Sequence, residues 1–358
     1  MADFSDARYL GLRHPSVELP GWTALTLGRP AALAEPAGTA DVAAALARLQ
    51  GTAAATLLPS TLHLFWDLLR QLARGSRCCL LLDAGAYPIL HWAAEAAAAR
   101  GTRVRRFAHH DAAALQTLAL DAARRGLRPV VVCDGFCTGC NRPAPLRAYA
   151  RIAAEHGGTL VLDDTQALGV LGRAPCSEHP YGHDGGGSLR WHGLGGEPDA
   201  QIAVGASLAK GFGAPLAALS GSTELITRFE RDSAVRWHCS PPSLAALQAA
   251  QVALAGNARR GVHWRARLLH LVRRLRAVVL RAGLDAVGTL PFPVQSFVAR
   301  HTSEAATLLR LARRLAAGGV HALLTRGCRD GSSRLSFLVT ARHRAAHIDR
   351  IAALLARS

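Results

Sequence analysis

The chain has 358 residues, half of them hydrophobic, which is enough to bury a large core and to form a large domain and a smaller one. No apolar run reaches the length of about 20 residues that spans a bilayer, and the first residues lack the basic and apolar regions of a signal peptide, so we expect a cytoplasmic protein without a membrane span. The formal charge of +17 comes from arginines spread over helical patterns, which favours solvated helix faces over a nucleic-acid surface. The same positive field would attract an anionic thioester.

Helical and strand patterns alternate over the first 207 residues. In chain order they predict a helix at 40–50, a helix after residue 61, a strand at 78–83, a helix at 89–101, a strand at 102–107, a helix at 113–126, a strand at 128–134, a helix at 145–157, and strands at 159–164 and 201–207. This alternation is typical of an α/β fold in which helices cover both faces of a mainly parallel sheet.

The last third of the chain has a different pattern. After residue 243 a long helix leads to strands at 294–300 and 333–340, with helices between and after them. We therefore predict a smaller C-terminal α+β domain. The predicted divisions are an N-terminal arm at 1–40, a large domain at 41–255 and the small domain at 256–358.

Four side chains of chemical interest lie at or just past the ends of predicted strands: Asp83, Asp134, Asp163 and Lys210. Ligands of parallel sheets gather at the carboxyl ends of the strands, so this edge is the expected site. Residues 180–199 form a glycine-rich stretch that we interpret as a lid over it.

Lys210 is the only lysine of the sequence, although the chain is rich in arginine. Arginine cannot be deprotonated in a protein or form an imine, whereas a lysine amine can do both when its pKa is lowered. A Schiff-base lysine and a chance surface lysine are both compatible with composition alone. Asp163, at the buried end of a strand, is compatible with either a helix cap or an anionic partner for a protonated pyridine nitrogen. Together the two residues suggest a pyridoxal phosphate site.

Cys133, Cys137 and Cys140 have a C-x3-C-x2-C spacing that can hold an iron–sulfur cluster. Cys133, however, falls in the apolar run of a predicted strand, where a cysteine acts as a small hydrophobe. We therefore expect these cysteines to be incidental and no metal to bind, either here or at His183 and His192 beside the glycine-rich stretch.

Several segments resemble the α-oxoamine synthase family of fold type I pyridoxal phosphate enzymes over nearly the whole chain: "FSDARYLGLRHPS", "RFAHHD", "DDTQALGVLGR", "SLAKGFGAPLAALSGS" and "RLSFLVTARH". The resemblance implies that Lys210 is the imine lysine and that Asp163 pairs with the pyridinium nitrogen. It also implies that Ser207 contacts the cofactor phosphate and that Thr138 lies near the phenolic oxygen.

The resemblance assigns further residues to the site. Ser60 and Thr61 open a helix whose free amide hydrogens suit a phosphate; ordinary N-capping is the alternative, and the two roles are compatible. Arg334 matches an arginine that holds the substrate carboxylate, with a surface charge as the alternative. His238 and Ser240 match a segment that reaches the neighbouring subunit's phosphate, which implies a homodimer with shared active sites.

Two residues depart from the family pattern. Tyr87 replaces a histidine that stacks on the cofactor ring, and Gln166 replaces a histidine that follows the paired aspartates. We keep Tyr87 as a stacking and catalytic candidate and Gln166 as a cofactor contact. The leading hypothesis is an acyltransferase that condenses an amino acid with an acyl thioester of coenzyme A or acyl carrier protein, through an external aldimine and a quinonoid. An aminotransferase or lyase, and a non-catalytic partner subunit, are the alternatives.

Overall fold

The structure is a computed structural model that describes residues 1–23, 25–74, 77–195, 201–299, 305–328 and 331–356. Its helices are α1 Thr39–Gln50, α2 Thr61–Ala73, α3 Pro88–Ala98, α4 Ala112–Arg124, α5 Leu146–Glu155, α6 Ser188–Trp191, α7 Thr223–Asp232, α8 Ala234–His238, α9 Leu244–Arg281, α10 Ala305–Ala317 and α11 Ala345–Leu355. Its strands are β1 Ala2–Asp3, β2 Ala54–Leu58, β3 Cys78–Asp83, β4 Arg103–Phe107, β5 Arg128–Asp134, β6 Phe136–Cys137, β7 Arg142–Pro143, β8 Thr159–Asp163, β9 Gln201–Ser207, β10 Ala217–Gly221, β11 Leu284–Ala286, β12 Val294–Ala299, β13 Val320–His321, β14 Leu323–Arg326 and β15 Ser333–Leu338. Within these ranges no helix is both long enough and apolar enough to cross a membrane.

The large sheet has seven strands in the order β2-β10-β9-β8-β5-β3-β4. The strands from β9 to β4 run parallel to one another, while β10 is antiparallel to both of its neighbours. Strands β3 and β8 are buried along their whole length, which matches the continuous apolar runs expected of a sheet covered on both faces. The predicted parallel sheet is therefore confirmed.

The register of the parallel strands aligns their carboxyl ends. Asp134 at the end of β5 pairs with Asp163 at the end of β8, and Asp163 pairs in turn with Gly205 of β9. Asp83 ends the neighbouring strand β3. Three carboxylates thus lie along one edge of the sheet, as the sequence predicts.

The sequence patterns do not predict β2 and β10. Their sequences, AATLL and AALSG, have few β-branched or aromatic residues, so the local signal for a strand is weak. They form strands because they pair with each other and extend the sheet beyond β9, with all of β10 buried. Tertiary pairing overrides local propensity here.

The C-terminal part of the chain contains a four-stranded antiparallel sheet with the order β11-β12-β15-β14. The long helix α9 runs from Leu244 to Arg281, so the predicted domain boundary at 255 lies inside a continuous helix. One hydrophobic core joins residues from the N-terminal arm, the large sheet and the C-terminal sheet, such as Phe4, Ala206 and Phe297. The division into an arm and two domains stays a prediction.

The structure corrects the interpretation of the glycine-rich stretch as a lid for its central part, residues 185–189. Residues 185–189 are buried, and the backbone amide of Ser188 donates to both carboxylate oxygens of Asp164, at 3.1 and 2.9 Å. A carboxylate without solvent access holds this segment in the interior because it accepts those hydrogen bonds there. Residues 196–199 of the stretch lie outside the described residues.

Candidate active site

Lys210 lies three residues after β9, at the carboxyl edge of the large sheet. Its half-buried amine is 5.6 Å from the centre of the Tyr87 ring. Burial lowers the pKa of the Lys210 amine, while the negative charges of Asp163 and Asp134 partly oppose this shift. The chain's only lysine therefore has the environment of a reactive amine, and not that of a surface charge.

Asp163 is buried at the end of β8, with 6% of its surface exposed. Burial raises the pKa of its carboxyl group, and hydrogen bonds from Thr165 and the charge of Lys210 act in the opposite direction. The Thr165 amide donates to Asp163 Oδ1 at 2.9 Å, and the Ser207 amide donates to the Thr165 hydroxyl, also at 2.9 Å. Thr165 thus connects Asp163 with Ser207, and a bound cation would relieve the cost of the buried carboxylate.

Asp134 is a member of the site to which the sequence assigns no role. Its Oδ1 accepts a hydrogen bond from the Tyr87 amide at 3.1 Å, at the start of α3. Desolvation, together with the nearby Asp163 carboxylate, raises the pKa of Asp134 well above its ordinary value. In the sequence, Asp134 is marked only by its position at the end of a strand pattern. Its contact with Tyr87 could not be predicted there, because it depends on the order of the strands in the sheet.

Gln166 is oriented by the N-terminal arm. The buried Tyr9 hydroxyl donates to Gln166 Oε1 at 2.6 Å. Burial raises the pKa of the Tyr9 phenol, so this hydroxyl stays protonated and remains a donor. The contact orients the Gln166 side chain by binding its Oε1. It also brings the N-terminal arm to the turn that follows β8.

Ser60 and Thr61 stand at the N-terminus of α2. The Ser60 hydroxyl accepts a hydrogen bond from the His63 amide at 3.4 Å and contacts the His63 ring nitrogen at 2.8 Å. Ser60 is therefore an N-cap, as one of its two interpretations predicts. The partial positive charge of the helix terminus also suits a phosphate, and this second role stays a prediction.

Arg334 lies in β15, opposite Thr325 of β14, and only 6% of its surface is exposed. Its Nε is 3.5 Å from the Ser332 hydroxyl. The alternative of a surface charge is therefore wrong, because a buried guanidinium is expensive unless it has a function or a partner.

The remaining candidates lie in three other places. Thr138 is half-buried in the turn between β6 and β7, His238 is the exposed last residue of α8, and Ser240 is exposed between α8 and α9. Contacts and charges connect Lys210 with Tyr87, Asp134, Asp163, Thr165 and Ser207. The roles of Thr138, His238, Ser240 and Arg334 toward a cofactor, substrate or partner stay predictions.

No protein-family model matches the chain. It is similar to two proteins described as 8-amino-7-oxononanoate synthase. The one from Marinobacter nauticus is 32% identical over 260 residues, and the one from Methylococcus capsulatus is 34% identical over 260 residues. Each alignment covers 72% of this chain, but only 60% and 62% of the respective relatives. The resemblance that the motifs indicate is therefore confirmed over most of this chain.

Solved structures show the same architecture. A serine palmitoyltransferase from S. paucimobilis, determined with pyridoxal phosphate and myriocin, superimposes with a TM-score of 0.82 at 17% identity, covering 99% of this chain and 86% of the other. An 8-amino-7-oxononanoate synthase from Francisella tularensis gives a TM-score of 0.76 at 16% identity, covering 100% and 97%. This chain shares their fold. The predicted fold class, fold type I with a mainly parallel sheet, is confirmed.

Proposed function

We propose that the protein is a pyridoxal phosphate-dependent acyltransferase that condenses an amino acid with an acyl thioester of coenzyme A or acyl carrier protein. The observation that supports this most strongly is the position of the single lysine. Lys210 stands half-buried beside Tyr87, within the field of Asp163, at the ligand-binding edge of the sheet. The similarity to 8-amino-7-oxononanoate synthases favours the acyltransferase over other reactions.

The residues at this edge fit the chemistry of pyridoxal phosphate. Lys210 offers the amine that attaches the cofactor, buried Asp163 offers a carboxylate for the ring nitrogen, and Tyr87 offers an aromatic face. Ser207 and the N-terminus of α2 at Thr61 are the proposed phosphate donors, and Thr138 and Gln166 are the proposed contacts to the ring substituents. When bound, the cofactor supplies an electron-accepting ring that stabilises negative charge at the amino acid α-carbon.

The protein's own groups account for the remaining steps. An amine whose pKa is lowered is neutral more often near pH 7, so Lys210 can accept a proton from the α-carbon and return it. Arg334 would bind the substrate carboxylate through two parallel hydrogen bonds and so orient the bond that breaks. Asp134 holds the backbone of Tyr87, which keeps the aromatic ring beside the amine.

We also propose that the protein is a homodimer in which His238 and Ser240 reach the phosphate of the neighbouring active site. Both residues are exposed in the single chain, His238 at the end of α8 and Ser240 just after the helix, so they are available to a second copy.

Transamination or a lyase reaction on the same amino acid is the second candidate function. It is supported by Gln166, which hydrogen-bonds Tyr9 and cannot titrate, at a position where acid–base chemistry is expected from the resemblance. Mass spectrometry of the protein incubated with amino acids and acyl thioesters separates the two functions. A ketone that contains the acyl chain supports the acyltransferase, whereas an oxo acid without it supports transamination.

The cofactor assignment is tested on the purified protein. We expect a yellow protein whose visible absorption disappears on treatment with borohydride, and peptide mapping should then find a reduced pyridoxyl group on Lys210. The Lys210→Ala protein should bind added cofactor but lose turnover, because it lacks the proton-transfer amine. A colourless protein that does not bind added pyridoxal phosphate would refute the assignment.

A further inference from the structure

Four metal-ligating side chains from distant parts of the chain meet beside the carboxyl edge of the sheet. They are His109 after β4, Cys137 at the end of β6, Cys140 in the turn before β7, and Cys328 just after β14. One ligand atom of each lies within 4.8 Å of the ligand atoms of the other three, and His109 Nε2 is 3.5 Å from Cys140 Sγ. We refer to these residues as the Cys3His quartet.

The imidazole of His109 is held in the orientation that a metal ligand needs. Its Nδ1 is 2.6 Å from Asp83 Oδ1, so the Nδ1 proton is donated to the carboxylate and Nε2, the atom that would bind a metal, faces the thiols. Asp83 is itself fixed, because it accepts hydrogen bonds from the amides of Gly85 and His110 at 2.8 and 3.2 Å. A carboxylate behind a histidine is the usual outer partner of a histidine bound to zinc.

The backbone around the quartet is shaped to allow this close approach. A Cβ atom added to Gly139, between the two cysteines of the turn, would lie 3.0 Å from the Cβ of Cys328. A Cβ on Gly85 would lie 2.3 Å from Nδ1 of His109. Asn141 adopts a left-handed φ of 51°, and its side-chain Nδ2 donates to the carbonyls of Val287 and Leu290, which anchors the turn to the C-terminal part. At position 85 only glycine fits without displacing His109, and at position 139 a side chain would push Cys328 away by a few tenths of an ångström.

We propose that the Cys3His quartet binds one zinc ion. Three thiolates and one imidazole in a closed tetrahedral shell are a standard set for structural zinc, with Zn–S distances of about 2.3 Å and Zn–N distances of about 2.0–2.1 Å. In such a tetrahedron neighbouring ligand atoms are about 3.5–3.8 Å apart, which is the spacing of His109 Nε2 and Cys140 Sγ. All four ligand atoms lie within 4.8 Å of one another, which is close enough for a single ion to contact each of them. An iron–sulfur cluster would space its ligands further apart, because several irons and sulfides lie between them.

This proposal replaces the expectation from sequence that the cysteines are incidental. Cys133 is buried in β5 within the hydrophobic core and does not belong to the quartet, so the C-x3-C-x2-C spacing is not the functional one. The relevant spacing is the C-x2-C of Cys137 and Cys140, completed by Cys328 and His109 through the fold.

The ion would join the C-terminal part of the chain to the large sheet. Cys328 lies in the loop between β14 and β15, and β15 contains Arg334. Thr138 lies between two of the ligands, in the turn that the ion would fix. A structural metal at this point would position one candidate substrate residue and one candidate cofactor residue without entering the reaction.

Metal content is the first test. Protein purified anaerobically with a thiol reductant and without chelators should contain about one zinc per chain. Cys140→Ser and Cys328→Ser should each lower the zinc content at least about tenfold, because a closed shell loses one of four ligands. Cys176→Ser is the matched control and should keep the zinc, since the Cys176 thiol is exposed and lies outside the quartet. Lys210→Ala should also keep it, so the metal is assayed independently of any cofactor.

A second test uses the native chain, in case a cysteine variant does not fold. Iodoacetamide should label Cys176 rapidly and leave Cys137, Cys140 and Cys328 unlabelled until a chelator removes the zinc. Cobalt(II) in place of zinc should give thiolate-to-metal absorption and the strong visible bands of a tetrahedral site. Asp83→Asn should weaken the affinity for zinc about 10- to 100-fold in a chelator competition, as expected for an outer partner of a histidine ligand.

Several outcomes would overturn the proposal. They are no bound zinc after anaerobic reconstitution with zinc chloride, iron with acid-labile sulfide in place of zinc, a disulfide between Cys137 and Cys140 in the freshly purified protein, or equal zinc content in the native protein and both cysteine variants.

Discussion

At the scale of single residues, Arg334 is the charge whose role is easiest to isolate, because it is buried in β15. We expect Arg334→Ala to keep the cofactor and to lose amino acid binding, since its guanidinium is the proposed partner of the substrate carboxylate. Loss of one partner of a buried charge pair costs about 2–4 kcal/mol, or about 30- to 1000-fold in kcat/KM. The change in visible absorption with amino acid concentration measures the affinity.

Arg326→Ala is the matched control for this experiment, because Arg326 is an exposed arginine on the adjacent strand β14. Its kcat/KM should stay within about twofold of the native value, as for an exposed charge. An Arg334→Ala protein with unchanged amino acid affinity would show that the carboxylate binds elsewhere.

Asp164 is a second residue with a measurable signature, in the dependence of stability on pH. Burial raises the pKa of its carboxyl group to about 7. Between the ordinary carboxyl pKa of about 4 and pH 7 the folded state keeps a proton that the unfolded state has lost, so Asp164 lowers the free energy of unfolding as the pH rises through this range. Asp164→Asn removes that term. The difference in free energy of unfolding, variant minus native protein, should therefore increase by about 2–4 kcal/mol when the pH is raised from 5 to 8.

Urea denaturation at the two pH values measures this difference. Glu178→Gln, which replaces an exposed carboxylate, should show the same change in stability as the native protein between pH 5 and pH 8. An Asp164→Asn protein that follows the native pH dependence would mean that Asp164 is ionised in the folded protein throughout this range.

At the scale of elements, two helices have the same kind of N-cap. Comparing cap substitutions in the two helices separates the effect on protein stability from the effect on cofactor binding. Ser60 caps α2 and Ser222 caps α7, each by accepting a hydrogen bond from an amide of the first turn. We expect Ser60→Ala and Ser222→Ala to lower the free energy of unfolding similarly, by about 0.5–2 kcal/mol. Only Ser60→Ala should also weaken pyridoxal phosphate retention, because α2 is the proposed phosphate site. Equal cofactor affinity in both variants, measured by dialysis and absorbance, would remove Ser60 from that site.

At the scale of the whole molecule, the proposed active site, to which two chains contribute, requires a second copy. Light scattering should give twice the 37.8 kDa mass of one chain at micromolar concentration. If His238 contributes to the neighbouring site, His238→Ala should lower cofactor affinity without dissociating the dimer. Trp237→Ala, at the preceding exposed position of α8, is the control for general disturbance of that helix. A monomeric mass would exclude an active site built from two chains.

Much of this architecture follows from local patterns in the sequence. The apolar run at 128–134 corresponds to β5 and the run at 201–207 to β9. Both strands are buried in their central residues, and a short continuous apolar run is the sequence pattern of a buried strand. Lys210 also stands out in the sequence, because it is the single lysine of an arginine-rich chain and its proposed role requires an amine that arginine cannot supply.

Other features depend on the tertiary structure. Local patterns report how deeply a segment is buried, but not which segments meet. The order of the strands brings Asp134 to Tyr87, and the path of the N-terminal arm brings Tyr9 to Gln166. The docking of the C-terminal sheet brings Cys328 to His109, Cys137 and Cys140. These contacts join residues far apart in the chain, so they are decided by packing and topology and leave no periodic signal in the sequence.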